Sequence, residues 1–330
     1  VRENILVIGS NSFSGSHFVD LLLSNSHTVV GVSRSHEPLD FFLPYKLNPN
    51  LRKFQFKQLD LNHDIGGIID LVNEFQPEYV VNFAAQSMVA ESWQYPEHWF
   101  KTNVVSNVLL HDHLRKVKFL KKYVHVSTPE VYGSTEGCIE ETARLNPSTP
   151  YAVSRAACDM SLLSFFKNYD FPVVFTRAAN VYGPGQQLYR IIPRTMAFIR
   201  LGKKLQLHGG GHSNRSFIHI RDVAAATYKV TTSAPPGESY HISTERQIKI
   251  RNLVHLICEK MGSRFEEVVE LVDDRPGKDS LYWLDSSKIQ SSLGWKDTIS
   301  LENGLAETLS WVDRNIDLIR TISLDYHHKP

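Results

Sequence analysis

The chain has 330 residues, 42% of them hydrophobic and 22% charged, the content of a packed globular protein rather than a disordered one. Its 36 Lys and Arg against 35 Asp and Glu leave a net charge of +1, which argues against nucleic acid or an anionic membrane as a partner of the whole surface. No apolar run is long enough to span a bilayer, the first residues lack a signal-peptide pattern, and Cys138, Cys158 and Cys258 lie far apart with no CxxC pair, so a cytoplasmic protein with reduced thiols is expected.

In chain order, 4–9 is a short, almost wholly apolar run ending in glycine, which reads as a central parallel strand buried on both faces. A helical pattern follows, with Phe13, Phe18, Leu21 and Leu22 on one face. Strand runs at 28–32, 53–57, 79–83, 122–126 and 172–176 alternate with helical stretches such as 103–115 and 151–167. That alternation predicts an α/β fold with a doubly wound parallel sheet. Beyond Tyr182-Gly183-Pro184-Gly185 the elements are shorter, punctuated by Gly209-Gly210-Gly211, Pro235-Pro236-Gly237 and Arg275-Pro276-Gly277. The expected division is a dinucleotide-binding domain over 1–182, with 217–232 returning to it, and a smaller substrate lobe over most of 183–330.

Gly9-Ser10-Asn11-Ser12-Phe13-Ser14-Gly15 stands between the first strand and the first helix, where a dinucleotide-binding turn belongs. Gly9 permits the tight turn, Gly15 lets helix pack on strand, and the helix start at Phe13 and Ser14 faces a pyrophosphate. Ser12 replaces the middle glycine of the usual pattern; its Cβ narrows the phosphate approach, while its hydroxyl can donate a hydrogen bond. The second strand ends in Ser33 and Arg34, a hydroxyl and a guanidinium where a free ribose 2′-OH usually meets an acid, so NADP is favoured over NAD. Asp60 and Leu61, after the third strand, are placed for the adenine, although a solvated turn fits nearly as well. Ala84, Ala85, Gln86 and Ser87, after the fourth, let backbone approach the cofactor riboses, or simply close-pack a strand end.

Ser127-Thr128-Pro129-Glu130-Val131-Tyr132-Gly133 follows the fifth strand, and Tyr151-Ala152-Val153-Ser154-Arg155 puts a tyrosine and a cation one turn apart on one helix face. Thr128 can bond a sugar hydroxyl and Glu130 can act as a general base. Tyr151 can exchange a proton if a cation lowers its pKa, and Arg155 supplies that charge. Singly, each is a capped turn or a surface pair; together they form a proton-handling set. Arg215 and Arg275 are candidates for clasping a diphosphate. His208 and His212 flank three glycines with no Cys or acidic cluster nearby, so no metal site is expected. The basic stretch 115–122 reads as a solvated helix end rather than a nucleic-acid site.

These residues resemble the extended short-chain dehydrogenase/reductase superfamily over essentially the whole chain, and most closely its nucleotide-sugar 4,6-dehydratases. The run 127–133 looks like that family's Ser-Thr-Asp-Glu-Val-Tyr-Gly. Asn180-Val181-Tyr182-Gly183-Pro184, 215–222 and 274–279 resemble its substrate-lobe motifs, and Leu293-Gly294-Trp295-Lys296 its C-terminal signature. Ala85-Gln86-Ser87 and 94–97 are closer to the GDP-mannose branch, 190–194 to the dTDP-glucose branch.

The resemblance implies a Rossmann sheet with an interleaved C-terminal substrate lobe. It implies cofactor contacts from Asn103, Tyr151 and Arg155 besides those above, and substrate contacts from Ser87, Asn180, Arg190, Arg215 and Arg275. It also implies a homodimer through the helices beginning near Asn103 and Tyr151, and a nucleotide-diphosphate hexose as substrate. Tyr151 would take the O4 proton while C4 gives hydride to NADP or NAD; Glu130 would take the C5 proton, water would leave C6, and hydride would return there. Three positions depart from the pattern: Ser12, Pro129 where the dTDP branch has an aspartate acid for the departing 6-OH, and Arg155 in place of the lysine of Tyr-x-x-x-Lys. With Pro129 unable to give a proton, Glu130 could serve as base and then as acid. A C4-epimerase or a decarboxylase on the same scaffold, or a catalytically silent NAD(P)-binding protein, are the alternatives; Glu130 argues against the epimerase.

Overall fold

The structure, a computed structural model, describes residues 2–273 and 283–329. Seven strands build the main sheet: β1 (Asn4–Ile8), β2 (Thr28–Ser33), β3 (Phe54–Gln58), β4 (Tyr79–Asn82), β5 (Lys122–Val126), β7 (Val173–Ala178) and β11 (Ser239–Ile242). All pair in parallel, in the order β11-β7-β5-β4-β1-β2-β3. The order reverses between β1 and β4, so a crevice opens outside the carboxyl ends of those strands, the usual ligand site of a doubly wound sheet.

Helices α1 (Phe13–Ser24), α7 (Ile220–Ser233) and α10 (Ser287–Leu293) cover one face; α2 (Ile65–Phe75), α4 (Asn107–Leu114) and α5 (Pro150–Tyr169) cover the other. Alternate residues of a strand enter different cores. Ile5 and Val7 join Phe18, Leu22, Val223 and Val230, whereas Leu6 and Ile8 join Ile68, Leu71, Leu110 and Leu162. Burial on both faces is why the strands read as continuous apolar runs.

The remaining elements form the lobe and its connections. Strands β8 (Asn180–Tyr182), β10 (Asn214–His219) and β12 (Gln247–Lys249) make a three-stranded sheet; β9 (Leu205–His208) pairs β13 (Val269–Val272), and β6 (Cys138–Ile139) pairs β14 (Trp283–Leu284). Helices α6 (Ile191–Arg200), α8 (Ile250–Lys260), α9 (Phe265–Val268), α11 (Leu301–Arg314) and α12 (Ile316–Arg320) enclose a third core that includes Met196, Leu253, Ile257, Leu305 and Val312. The return to the sheet layer is longer than 217–232: α7 packs on α1, and β11 then pairs with β7.

The helical stretch expected over 103–115 begins earlier. Pro96 opens α3 (Pro96–Phe100), which continues through widened π turns over Lys101–Ser106 into α4. Such insertions put one extra residue on the helix face and recur at functional sites. Among the described residues no helix is long and apolar enough to cross a membrane.

Candidate active site

The glycine-rich turn is fixed by close backbone contact. Gly9 has φ +81, and a Cβ on it would lie 2.7 Å from the amide nitrogen of Ala84. Gly15 packs against the Gly9 carbonyl with no room for a side chain. Ser12 is extended, at φ −72, so a glycine is not required there; it N-caps α1, its Oγ accepting from the Gly15 amide at 3.1 Å. The substituted serine therefore holds the helix start, which leaves the first amides, those of Phe13 and Ser14, toward an anion.

The end of β2 braces this turn. Ser33 Oγ accepts from the Asn11 amide at 3.2 Å, and Asn11 Nδ2 donates to the carbonyls of Ser35 and His36. Arg34 Nη1 donates to the Lys329 carbonyl at 3.2 Å, and Gln86 Nε2 donates to the same oxygen at 2.6 Å. A segment leaving the lobe thus crosses to the two residues expected on opposite parts of the cofactor. His328 anchors it, stacked on Trp99, His98 and Tyr95 at centroid distances of 5.0, 5.2 and 5.7 Å.

Asp60 closes its own turn. Oδ1 accepts from the Asn62 amide at 2.8 Å, and Leu61 is buried. Asn103, in the π turns, lies beneath the strand end. Its Oδ1 accepts from the Gln86 amide at 2.8 Å, while its Nδ2 donates to the Gln86 carbonyl and to Ser154 Oγ, both at 3.0 Å. Asn103 therefore fixes the loop Ala84-Ala85-Gln86 against α5. Ala84 is held from the other side, its amide donating to Asn82 Oδ1 at 2.9 Å.

At the end of β5 the chain makes a tight 3-10 turn over Pro129–Tyr132. Thr128 caps it, its Oγ1 accepting from the Glu130 amide at 3.3 Å and donating to Glu130 Oε2. Pro129 takes the first position of the turn, where its fixed φ is preorganised and its missing N–H costs nothing. Thr149 caps α5 and Pro150 opens it, which places Tyr151 in the first turn beside Thr128. Burial, then the Glu130 charge, push the Tyr151 phenol up to about 12, against the pull of Arg155, the Thr128 hydrogen bond and Arg190. Thr128, Glu130 and Tyr151 meet as the spacing predicts, with Arg190 as a second cation.

Arg155 is buried and lies along β5. Its Nη2 donates to the Val126 carbonyl and contacts His125 Nε2 at 3.2 Å. Its Nε and Nη1 are buried without a partner. Two unsatisfied N–H groups on a cation next to Tyr151, together with the glycine cradle, fit a dinucleotide whose ribose hydroxyls can accept from them.

The substrate candidates are spread more widely. Asn180 Nδ2 donates to the Ser216 carbonyl at 3.2 Å, Arg215 is buried with Nη1 on the Asn214 carbonyl at 2.8 Å, and Ser87 is exposed. Arg275 lies outside the described residues. Among the described residues no group of His, Cys, Asp or Glu could hold a metal ion.

The family model for GDP-mannose 4,6 dehydratase matches residues 6–308. The chain belongs to the nucleotide-sugar 4,6-dehydratase family. A dTDP-D-glucose 4,6-dehydratase of Mus musculus is 32% identical over 95% of this chain and 89% of its own. A trifunctional enzyme of Arabidopsis thaliana, named for UDP-glucose 4,6-dehydratase, 3,5-epimerase and reductase activities, is 30% identical over 95% of this chain. The chain spans about half, 47%, of that relative. Among solved structures, the dTDP-glucose 4,6-dehydratase of Streptomyces venezuelae with NAD bound superposes with a TM-score of 0.87 at 29% identity, covering 96% of this chain and 98% of the other. A UDP-glucose 4-epimerase from Thermotoga maritima reaches 0.85 at 28% identity, covering 95% and 99%.

Against that family background, sequence reasoning missed the polar residues that carry the site from below. Asp159 and Arg177 form a buried ion pair at 2.8 Å, and His125 lies 3.5 Å from the same carboxylate. The available signal was Arg177, a lone charge inside the apolar strand β7.

Proposed function

We propose that this protein is a nucleotide-sugar 4,6-dehydratase that converts an NDP-hexose to the NDP-4-keto-6-deoxyhexose. The observation that carries the reading is the contact of Thr128, Glu130 and Tyr151 at one strand end. A simple epimerase, the activity of some fold neighbours, has no use for a carboxylate beside Thr128.

A nicotinamide dinucleotide held by the Gly9–Gly15 turn would supply a reversible hydride acceptor, taking hydride from C4 and giving it back at C6 once water has left. Tyr151 in its phenolate form would take the proton from O4 of the hexose; burial and Glu130 hold the phenol up to about 12 rather than lowering it, and the positive charges of Arg155 and Arg190 are the pull back toward the phenolate. The resulting 4-keto group acidifies the C5 hydrogen, and Glu130 removes it. Pro129 has no proton to give, so Glu130 delivers the same proton to O6 as water departs. Thr128 holds Glu130 and orients it toward the ring. Arg215 is our candidate for the diphosphate, and Arg190, whose charge acts on Tyr151, for the substrate beside it.

Arg34 at the end of β2 supports NADP over NAD, because a guanidinium suits a 2′-phosphate. Binding isotherms for both dinucleotides check this; an NAD affinity equal to that for NADP removes the preference. A homodimer is supported by an apolar stripe on two neighbouring helical segments: Phe100, Val105 and Leu109 on one, Val153 and Met160 on the other, each at least 37% exposed. Light scattering on the purified protein reads the mass directly. The free thiols, two of them buried, fit a cytoplasmic setting.

The deciding experiment is a mass-spectrometric screen of nucleotide-hexoses with the protein and no added reductant. Loss of one water from one of them identifies the substrate and the reaction. Inversion at C4 without water loss, read by chromatographic separation of the epimers, which share one mass, would replace this reading with the epimerase, and loss of carbon dioxide with the decarboxylase.

A further inference from the structure

The catalytic turn is tied down at both ends by one buried ion pair. Ser127, just before the turn, donates from Oγ to Asp159 Oδ2 at 2.8 Å. Arg177 Nη2 donates to the same oxygen at 2.8 Å, and Arg177 Nη1 donates to the hydroxyl of Tyr132, the last residue of the turn, at 2.9 Å. The Arg177 guanidinium also lies over the Tyr132 ring, 5.2 Å from its centroid. Tyr132 in turn contacts His241 Nε2 at 2.8 Å, and His241 Nδ1 contacts the Asp285 carbonyl at 3.1 Å.

The donor directions are mutually consistent. Arg177 can only donate, so the Tyr132 hydroxyl accepts from it and gives its own proton to His241 Nε2. A neutral His241 then carries its proton on Nδ1 and donates it to Asp285. Burial favours that neutral ring. Asp159, Arg177, Tyr132 and His241 are all almost fully buried, so water does not compete for these bonds.

The placement matters because Asp159 shares a helix with Tyr151. It follows Tyr151 by two turns and faces the same strand end. The helix that presents the phenol therefore also holds the turn that presents Glu130. We propose that Asp159 and Arg177 are positioning residues for the dehydration step: the pair fixes the Glu130 carboxylate relative to Tyr151, through Ser127 on one side and Tyr132 on the other. This rests on the dehydratase reading. Neither side chain touches the substrate; each acts through the turn. The pair governs C5 deprotonation and water loss more than the oxidation at C4, because Tyr151 and the cofactor turn are held by other contacts.

Ser127→Ala and Tyr132→Phe test this with little change in volume, and Asp159→Asn and Arg177→Lys complete the series. The measurements are single-turnover hexose chemistry, dinucleotide affinity and thermal midpoint, each beside the unmodified protein. Ser127→Ala and Tyr132→Phe are expected to slow water loss about tenfold each, and Asp159→Asn about a hundredfold, the scale of a displaced catalytic group. Dinucleotide affinity should stay within about twofold in Ser127→Ala and Tyr132→Phe, which leave the Asp159–His125–Arg155 contacts in place, and the absorbance of reduced nicotinamide should build up during turnover because oxidation outruns elimination. Arg177→Lys, which keeps the charge, should recover part of the rate that Arg177→Met loses.

Unchanged water loss in Ser127→Ala and Tyr132→Phe overturns the clamp. So does a fall in rate matched by equal falls in affinity and thermal midpoint, which marks a merely structural role. If the unmodified protein removes no water from any nucleotide-hexose, the dehydratase reading fails first and the clamp with it.

Discussion

The turn after β1 and the turn after β5 sit at the same edge of one sheet with β4 between them, yet different forces hold them. The turn 9–15 is built from backbone: a left-handed glycine against Ala84, a second glycine against the first, and a serine cap. The turn 127–133 is built from side chains, with a buried ion pair, a tyrosine and a histidine beneath it. Local backbone geometry leaves a signature in consecutive residues. A network drawn from α5, β7 and β11 does not.

The sharpest way to separate the two turns is to disable one and read the other. Glu130→Gln keeps the shape of the catalytic turn and removes its base. Turnover should fall about a thousandfold, within the range of general acid–base contributions, while dinucleotide affinity holds. A matching loss of cofactor binding would show that the two turns are not independent.

The converse change is Gly9→Ala. A methyl group at φ +81, pressed on the Ala84 amide, requires backbone to move. The expected cost is roughly 2–3 kcal/mol of stability, with dinucleotide affinity falling more than affinity for the nucleotide-sugar. Calorimetric melting and the two binding isotherms read these effects separately, and equal losses in both affinities would spoil the contrast.

How far each region could be read from the residues follows from the same difference. The parallel strands showed as apolar runs because both faces are buried, and Gly9, Gly15 and the helix start were placed by their spacing. Thr128, Glu130 and Tyr151 were brought together because strand, turn and helix follow one another closely. The fate of Arg155 was hidden: it lies on Val126, a contact set by the packing of α5 on β5. The Asn103 side-chain amide grips the backbone of Gln86, a contact that only the π turns make possible. The approach of Lys329 to Gln86 joins residues 243 apart, beyond any local pattern.

Acid acts on both regions, since burial also holds His17, on α1 behind the glycine turn, down to about 4. His111 and His241 lie under the catalytic half, and burial holds each down to about 3. In the unfolded chain they titrate near 6.5, so there they bind protons that the native state refuses. Stability from these rings is complete above pH 6.5 and is lost as pH falls toward 3, about 1.4 kcal/mol per pH unit for each. At pH 5 the pair together should cost about 4 kcal/mol, a large share of a typical domain's stability. Urea midpoints at pH 7 and pH 5 measure the loss, and His241→Gln should flatten the slope. A midpoint that does not move between those two values would mean the rings are solvated.

The smallest effect falls on the residue where this chain departs most visibly from the usual glycine pattern. Ser12 has an extended backbone, so a glycine there relieves no strain; what it removes is the cap on the Gly15 amide. Ser12→Ala should destabilise by about 1 kcal/mol and Ser12→Gly by only a few tenths, the ordering seen for helix N-caps. For cofactor affinity the order should invert. Glycine opens the phosphate approach that the serine Cβ narrows, so Ser12→Gly should bind the dinucleotide as well as or better than the parent, and Ser12→Ala no better. A side chain kept for helix capping predicts this opposition between stability and affinity. A side chain kept to donate to phosphate predicts that both variants bind more weakly, and paired melting and titration experiments on the two variants decide between them.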